Sequence, residues 1–210
     1  MKHVFLLIFL FVIGCTESSK TASDTPSRPL KKTPARNTVV DPVSPWFQFY
    51  LNENPSFDIT KFYLKNISVV PSAPASIPIL SDKKFDEIYK PFLVFNSDSS
   101  QYLDFDSYHW FADEDRVAGF EADQQLVLVD LKKDRARQLM FTGPSFLIED
   151  VYWKGDSAAV VLGNSSDRIP FATVFNFNKN QQRNYGYPDT LRYKKSYYEK
   201  RLNDKGIKTD

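Results

Sequence analysis

Two clusters of carboxylates carry most of the chemical potential of this 210-residue chain. Asp104, Asp106, Asp113, Glu114 and Asp115 surround one aromatic segment, and Glu149 and Asp150 sit in another. Glycoside hydrolysis needs only two carboxyl groups, at a separation set by the fold. Asp106 stands two residues before Tyr108, and Asp150 two before Tyr152, so on a strand each acid would share a face with its tyrosine. Together with Trp110 and Trp153 they define a candidate ligand surface: Asp106, Tyr108, Trp110, Asp150, Tyr152 and Trp153. Acids beside aromatic platforms suit a saccharide or peptide groove. Acids that flank strands also close turns and keep edges soluble.

Other mechanisms find less material. His109 adjoins Trp110, and strand alternation would turn it outward if Trp110 faces the core, which predicts an exposed structural histidine. Gly143-Pro-Ser145 lacks the G-x-S-x-G elbow of an activated serine. Neither phosphate-binding glycine motif occurs. Asn96-Ser-Asp-Ser99 and Asp113-Glu-Asp115 are incomplete as calcium loops and are expected to be turns. No catalytic residue, cofactor or metal ligand is therefore expected.

The N-terminus is more specific. Lys2 and His3 precede an apolar run from Val4 to Ile13, too short for a membrane-spanning helix, which needs about 20 residues. Val12-Ile-Gly-Cys15 resembles the bacterial lipobox. That resemblance implies cleavage before Cys15 and its acylation, so that residues 1–14 are a signal peptide and the mature chain is anchored through lipid. Two or three acyl chains suffice for stable anchoring where one does not. Cys15 is the only cysteine, so once lipidated it leaves no disulfide or thiolate metal site.

Residues 15–45 carry prolines at 26, 29, 34, 42 and 45, many Ser and Thr, and no aromatic residue. Such a segment cannot bury enough apolar surface to offset its conformational entropy, and a disordered tether is expected. The chain's 27 basic and 26 acidic side chains nearly cancel, which gives no electrostatic case for nucleic acid.

The elements that must position the acids begin at Trp46. Trp46-Phe-Gln-Phe-Tyr-Leu51 and the alternating stretch 59–70 read as strands, 72–79 as a proline-broken edge or loop, and 82–89 as a helical turn. The segment from Tyr102 to Trp110 parallels that from Phe146 to Trp153. Each unit then runs through an apolar strand (126–131; 171–177) into a charged or polar turn. Pro91-Phe-Leu-Val-Phe-Asn96 likewise resembles Pro170-Phe-Ala-Thr-Val-Phe-Asn176. A period of roughly 40 residues is that of a propeller blade, but two units cannot close a ring. The expected fold is all-β, with mainly antiparallel, blade-like or sandwich-like sheets in one domain over 46–188. A short C-terminal helix should follow, capped by Asp189 or Thr190 and running to about Leu202, with a frayed tail from Asn203.

The run Arg135-Ala-Arg-Gln-Leu-Met-Phe-Thr-Gly-Pro-Ser145, with Glu149-Asp-Val-Tyr-Trp153 and Val160-Val-Leu-Gly163, resembles uncharacterised lipoproteins of Gram-negative bacteria with blade-like β segments. The similarity spans about Tyr89 to Tyr185 and the lipobox. It implies a cell-envelope protein anchored in the outer membrane, on its periplasmic or surface face, and transfers no catalytic residue. The function expected is a binding or adaptor module for an envelope protein or glycan. The alternatives are a small glycan hydrolase using paired carboxylates and a structural lipoprotein of an envelope complex.

Overall fold

The computed structural model describes residues 38–75 and 77–209. The expected signal peptide, Cys15 and most of the expected tether lie outside the described residues. The folded chain nevertheless begins before Trp46, because Val40 is fully buried and Ser44 nearly so. Residues 38–45 thus belong to the domain and not to a tether.

The first element corrects the expected strand at Trp46. Pro45–Glu53 is a helix, α1: Ser44 Oγ accepts from the Phe47 N–H at 3.3 Å, and Pro45 fills the first turn, where its missing donor costs nothing. Trp46, Phe47 and Tyr50 then fall on one buried face. A short helical turn at Ile59–Lys61 leads into β1 (Tyr63–Val69) and β2 (Ala73–Pro74). The next helical turn, Glu87–Phe92, lies later than the one expected at 82–89 because Asp86, through Oδ1, caps it at the Ile88 N–H. There follow β3 (Val94–Phe95), β4 (Gln101–Asp104), β5 (Trp110–Ala112), β6 (Ala118–Phe120), β7 (Gln124–Asp130), β8 (Arg135–Thr142), β9 (Phe146–Trp153), β10 (Ala158–Ser165), β11 (Pro170–Asn176) and β12 (Gln181–Gly186). The second helix, α2, spans Tyr197–Asp204. It starts later than Asp189 because Ser196 and Glu199 form a reciprocal capping box.

The protein is mostly β, with its strands in antiparallel sheets. One sheet runs β1-β12-β11-β10-β9, the other β2-β8-β7-β4-β3, with β5-β6 a separate hairpin between β4 and β7. The two units paralleled in sequence cover β4–β8 and β9–β12; their opening segments differ, since the chain leaves β4 after Asp104 for a turn whereas Phe146–Trp153 is one strand, but their hairpins close with the same device. After β7, Asp130 accepts the Lys133 N–H and Asp134 takes φ 47°; after β11, Asn176 accepts the Lys179 N–H and Asn180 takes φ 48°. Short Asp and Asn side chains tolerate this left-handed conformation.

β7 and β10 are central strands buried on both faces, which explains their unbroken apolar runs. Leu126 and Leu128 face Ala159, Val161 and Phe175 in the core between the sheets. Val160 and Leu162 turn the other way, against Trp46, Phe47 and Tyr50 of α1. Val127 and Val129 meet Ile79 and Leu93 under the loop before β3. Three stacked layers of apolar packing result.

The C-terminal tail does not fray. Gly206, at φ 79°, reverses the chain after α2, which sends Ile207 into the inter-sheet core and lets Lys208 pair with the β5-β6 hairpin through Arg116 and Ala118.

A methyl group on Gly163 of β10 would collide with the Leu147 carbonyl oxygen and approach the Phe171 ring to 2.7 Å, whereas the nearest atom at Gly143 is 3.7 Å away. Gly163→Ala should destabilise the protein by about 1–3 kcal/mol, and Gly143→Ala should stay within about 0.5 kcal/mol. Urea unfolding of the two variants checks the contrast.

Candidate functional site

Strand β9 carries an irregularity that strand alternation does not show. Leu162 of β10 lies opposite Asp150 and Gly163 opposite Ile148, which leaves Glu149 as the extra residue of a β-bulge. Ile148 and Val151 both enter the inter-sheet core. Glu149 and Asp150 between them both turn to the α1 side. Two consecutive acids thus share one face.

Glu149 is fully buried and gathers donors from three elements. Trp46 Nε1 donates to Oε2 at 2.7 Å, Tyr50 Oη to Oε1 at 2.7 Å, and Asn164 Nδ2 to Oε2 at 2.7 Å. The Tyr198 N–H, in the first turn of α2, is a fourth donor. Burial pushes the carboxyl up to about 7, against the pull of these hydrogen bonds. Tyr50 Oη also accepts from the Tyr197 N–H at 3.1 Å, and burial together with Glu149 holds its phenol far above the ordinary value. Asn164 Oδ1 has no partner among the described residues. A carboxylate spent on four fixed donors joins α1, β9, β10 and α2, and offers no lone pair to a substrate.

A second buried acid ties α2 to the other sheet. Asp106 accepts from Arg201 Nη2 at 2.6 Å and Nη1 at 3.0 Å, from Trp110 Nε1 at 2.9 Å and from Tyr198 Oη at 3.1 Å. Burial works against the Arg201 guanidinium, but Asp106 keeps its pKa above the usual arginine value. The same guanidinium lies 4.5 Å over the Phe105 ring and 4.9 Å over Tyr198.

These contacts revise the expected ligand surface. Asp106 and Trp110 are interior, with 0% and 1% exposure. Tyr108 is half-buried and packs near Phe141 of β8, with ring centroids 6.1 Å apart. Trp153 is half-buried and donates through Nε1 to the Val94 carbonyl at 2.9 Å. His109 is buried and not exposed, because it lies in the turn before β5 and not on a strand. Its Nδ1 is 3.0 Å from the Asp123 carbonyl oxygen, and burial lowers its pKa. Asp104 is buried and caps the Asp106 and Ser107 N–H groups. Asp113, Glu114 and Asp115 form an exposed turn, in which Asp113 accepts the Asp115 and Val117 N–H groups. Of the seven acids, Asp150 opens onto a cleft.

Asp150 and Tyr152 do share one. A cavity of 330 Å³ is lined by Asp41, Val43, Ser44, Pro45, Asp150, Tyr152 and Tyr197. The only donor to the Asp150 carboxylate among the described residues is its neighbour, the Val151 N–H, at 3.0 Å. Burial pushes it up to about 6, with Arg201 and Lys205 pulling the other way. Pro45 and Tyr197 also border a 490 Å³ cleft between α1 and α2, walled by Phe49, Lys200 and Lys205. Asp41 and Tyr152 border a third, of 250 Å³, reaching Trp153 and Lys154. The three clefts share walls and form a groove lined by acids at Asp41 and Asp150, by apolar surface along Pro45, Phe49 and Tyr197, and beyond that by Lys205 and by Lys200, which pairs with Asp204.

Comparison with protein-family models, with curated proteins and with solved structures finds no match. The groove's chemistry therefore rests on its own geometry. The α1 and α2 walls were missing from the sequence-based surface because the partners lie far along the chain. One local signal was available: Ser196-x-x-Glu199 is a capping box, which marks where α2 begins.

Glu149 and Asp150 generate a pH dependence with a definite sign. In the unfolded chain Glu149 ionises near its ordinary 4.5, whereas in the fold it ionises near 7. Between these values the folded state holds the extra proton, so the contribution to stability is complete below about 4.5 and is lost as pH rises to about 7. Asp150 acts in the same direction between about 4 and about 6. Denaturant unfolding from pH 5 to 8 should show wild-type stability falling, with a shallower slope in Glu149→Gln.

Proposed function

We propose that this protein is a lipid-anchored cell-envelope binding module, held through Cys15, that takes an extended segment of a partner protein into the groove bounded by α1, β9 and α2. The observation that carries this proposal is Asp150, an acid set in an aromatic-walled cleft with no donor but its own neighbour among the described residues. A buried carboxylate gains most from an incoming cation or N–H donor. The apolar middle of the groove suits side chains of a peptide, and Asp150 at one end with Lys205 at the other would fix the direction in which that peptide lies. A glycan would ask for a denser row of polar partners than Pro45, Phe49 and Tyr197 supply. Paired-carboxylate hydrolysis has less support, since the second acid of the cleft, Asp41, is exposed and accepts from the Val43 N–H in its own turn.

Anchoring rests on the lipobox resemblance at Val12-Ile-Gly-Cys15. No helix among the described residues is long and apolar enough to cross a membrane.

Val43 stands at the groove's rim with 76% exposure, a favourable place for a photo-reactive side chain. Cross-linking in intact cells should join position 43 to one discrete protein, Asp150→Asn should reduce the yield several-fold, and a probe at Lys179 should give no such adduct. Identical products from positions 43 and 179 would refute the groove, and a discrete glycan adduct would reassign its ligand. Cys15→Ala should move the protein out of the membrane fraction. Continued membrane partition with unchanged leader processing would refute the anchor.

A further inference from the structure

Charge is unmet in a second place, at the open edge of the core between the two sheets. β8 places Ala136 and Gln138 on one face and Arg135 and Arg137 on the other. Arg137 pairs across to Leu128, which faces the inter-sheet core, and Arg135 pairs to Asp130. Two guanidinium groups therefore continue the face that farther along the strand is apolar. Arg137 reaches over the Phe177 ring at 5.4 Å, which supports the arginine by stacking and supplies no acceptor.

Neither arginine has a hydrogen-bond acceptor or an ion-pair partner among the described residues. The one carboxylate nearby is already used: Asp130 takes Lys133 Nζ at 3.0 Å, the Lys133 N–H at 3.1 Å and Gln101 Nε2 at 3.2 Å. Arg135 and Arg137 open with Ser72, Gln101, Leu128, Asp130 and Lys133 onto a cavity of 220 Å³. Partial burial, and then repulsion from Arg135, lower Arg137 below the ordinary guanidinium value. That is the condition of a cation lacking its counter-ion.

We propose that this cavity is a binding site for a phosphoryl group, held between the Arg135 and Arg137 guanidiniums with the Ser72 hydroxyl at its margin. Once Lys133 neutralises Asp130, the lining retains the two positive charges of Arg135 and Arg137. A phosphomonoester dianion matches both, and its three terminal oxygens can accept from two planar donor forks at once, whereas a single carboxylate leaves one charge unmet. The group could come from a free phosphate or from the phosphomonoester headgroup of a lipid. The site lies apart from the α1-β9-α2 groove and does not depend on its role.

The test is a titration of the full chain in non-ionic detergent, at constant ionic strength, followed by NMR of the arginine Nε–Hε signals, with inorganic phosphate in one arm and glycerol 3-phosphate in the other. The Arg135 and Arg137 signals should move and saturate while those of Arg183 and Arg192 do not. Tighter binding of glycerol 3-phosphate would assign a lipid headgroup, and tighter binding of inorganic phosphate the free ion. Arg137→Gln should weaken binding about tenfold or more. Arg135→Gln, at a more exposed position, gives the same reading if Arg137→Gln does not fold. Non-saturating shifts shared by all arginines, or unchanged affinity in Arg135→Gln, would overturn the proposal.

Discussion

Glu149 imposes the constraint on which much of the architecture depends. An ionised carboxylate cannot remain in a protein interior unless its lone pairs are satisfied, and the donors left behind by its removal are costly in turn. Here the donors come from Trp46 and Tyr50 of α1, Asn164 of β10 and the first turn of α2. Apolar packing alone would let α1 slide over Val160 and Leu162. Four convergent donors permit only one seating. Glu149 reaches them because it is the extra residue of the β9 bulge, and the bulge closes tightly because Gly163 stands opposite without a side chain.

Helix α2, which Glu149 also holds, is tied a second time, from the other sheet, by Asp106 and Arg201. The two units repeated in sequence carry matching acids, Asp106 and Asp150, and both act on Arg201. Asp106 holds the guanidinium bidentately in the interior. Asp150, displaced by the bulge to the outer face of its sheet, receives only a distant share of that charge. One acid is thus a strut, and the other faces a groove.

Much of the β architecture was legible because its signals are local. The continuous apolar runs of β7 and β10, the Asp or Asn closing the turns after β7 and β11, and Pro74 on an edge strand each follow from a few adjacent residues. The structure departs from the residue pattern where a cap, a turn or a chain reversal overrides it. Trp46 to Leu51 has the aromatic content of a strand, yet Ser44, Pro45 and the apolar bed of the neighbouring sheet make it helical. Strand alternation points His109 outward, but it does not apply inside the turn where the residue lies. A polar C-terminal tail reads as frayed, yet Gly206 returns Ile207 to the core.

The candidate site divides along the same line. Sequence by itself determined the residue types and the face shared by Asp150 and Tyr152, since a period of two is a property of the strand alone. It also determined the lipobox resemblance, carried by a short contiguous motif. Only the tertiary structure decided that Asp106 and Trp110 are interior, that Tyr108 packs near Phe141, and that α1 and α2 wall the cleft around Asp150. A bulge shifts every later side chain by one face, and helix docking joins residues more than 100 positions apart, as Trp46 and Glu149 are. Neither leaves a periodic trace in the chain, because each is fixed by which buried donors and acceptors can be satisfied together.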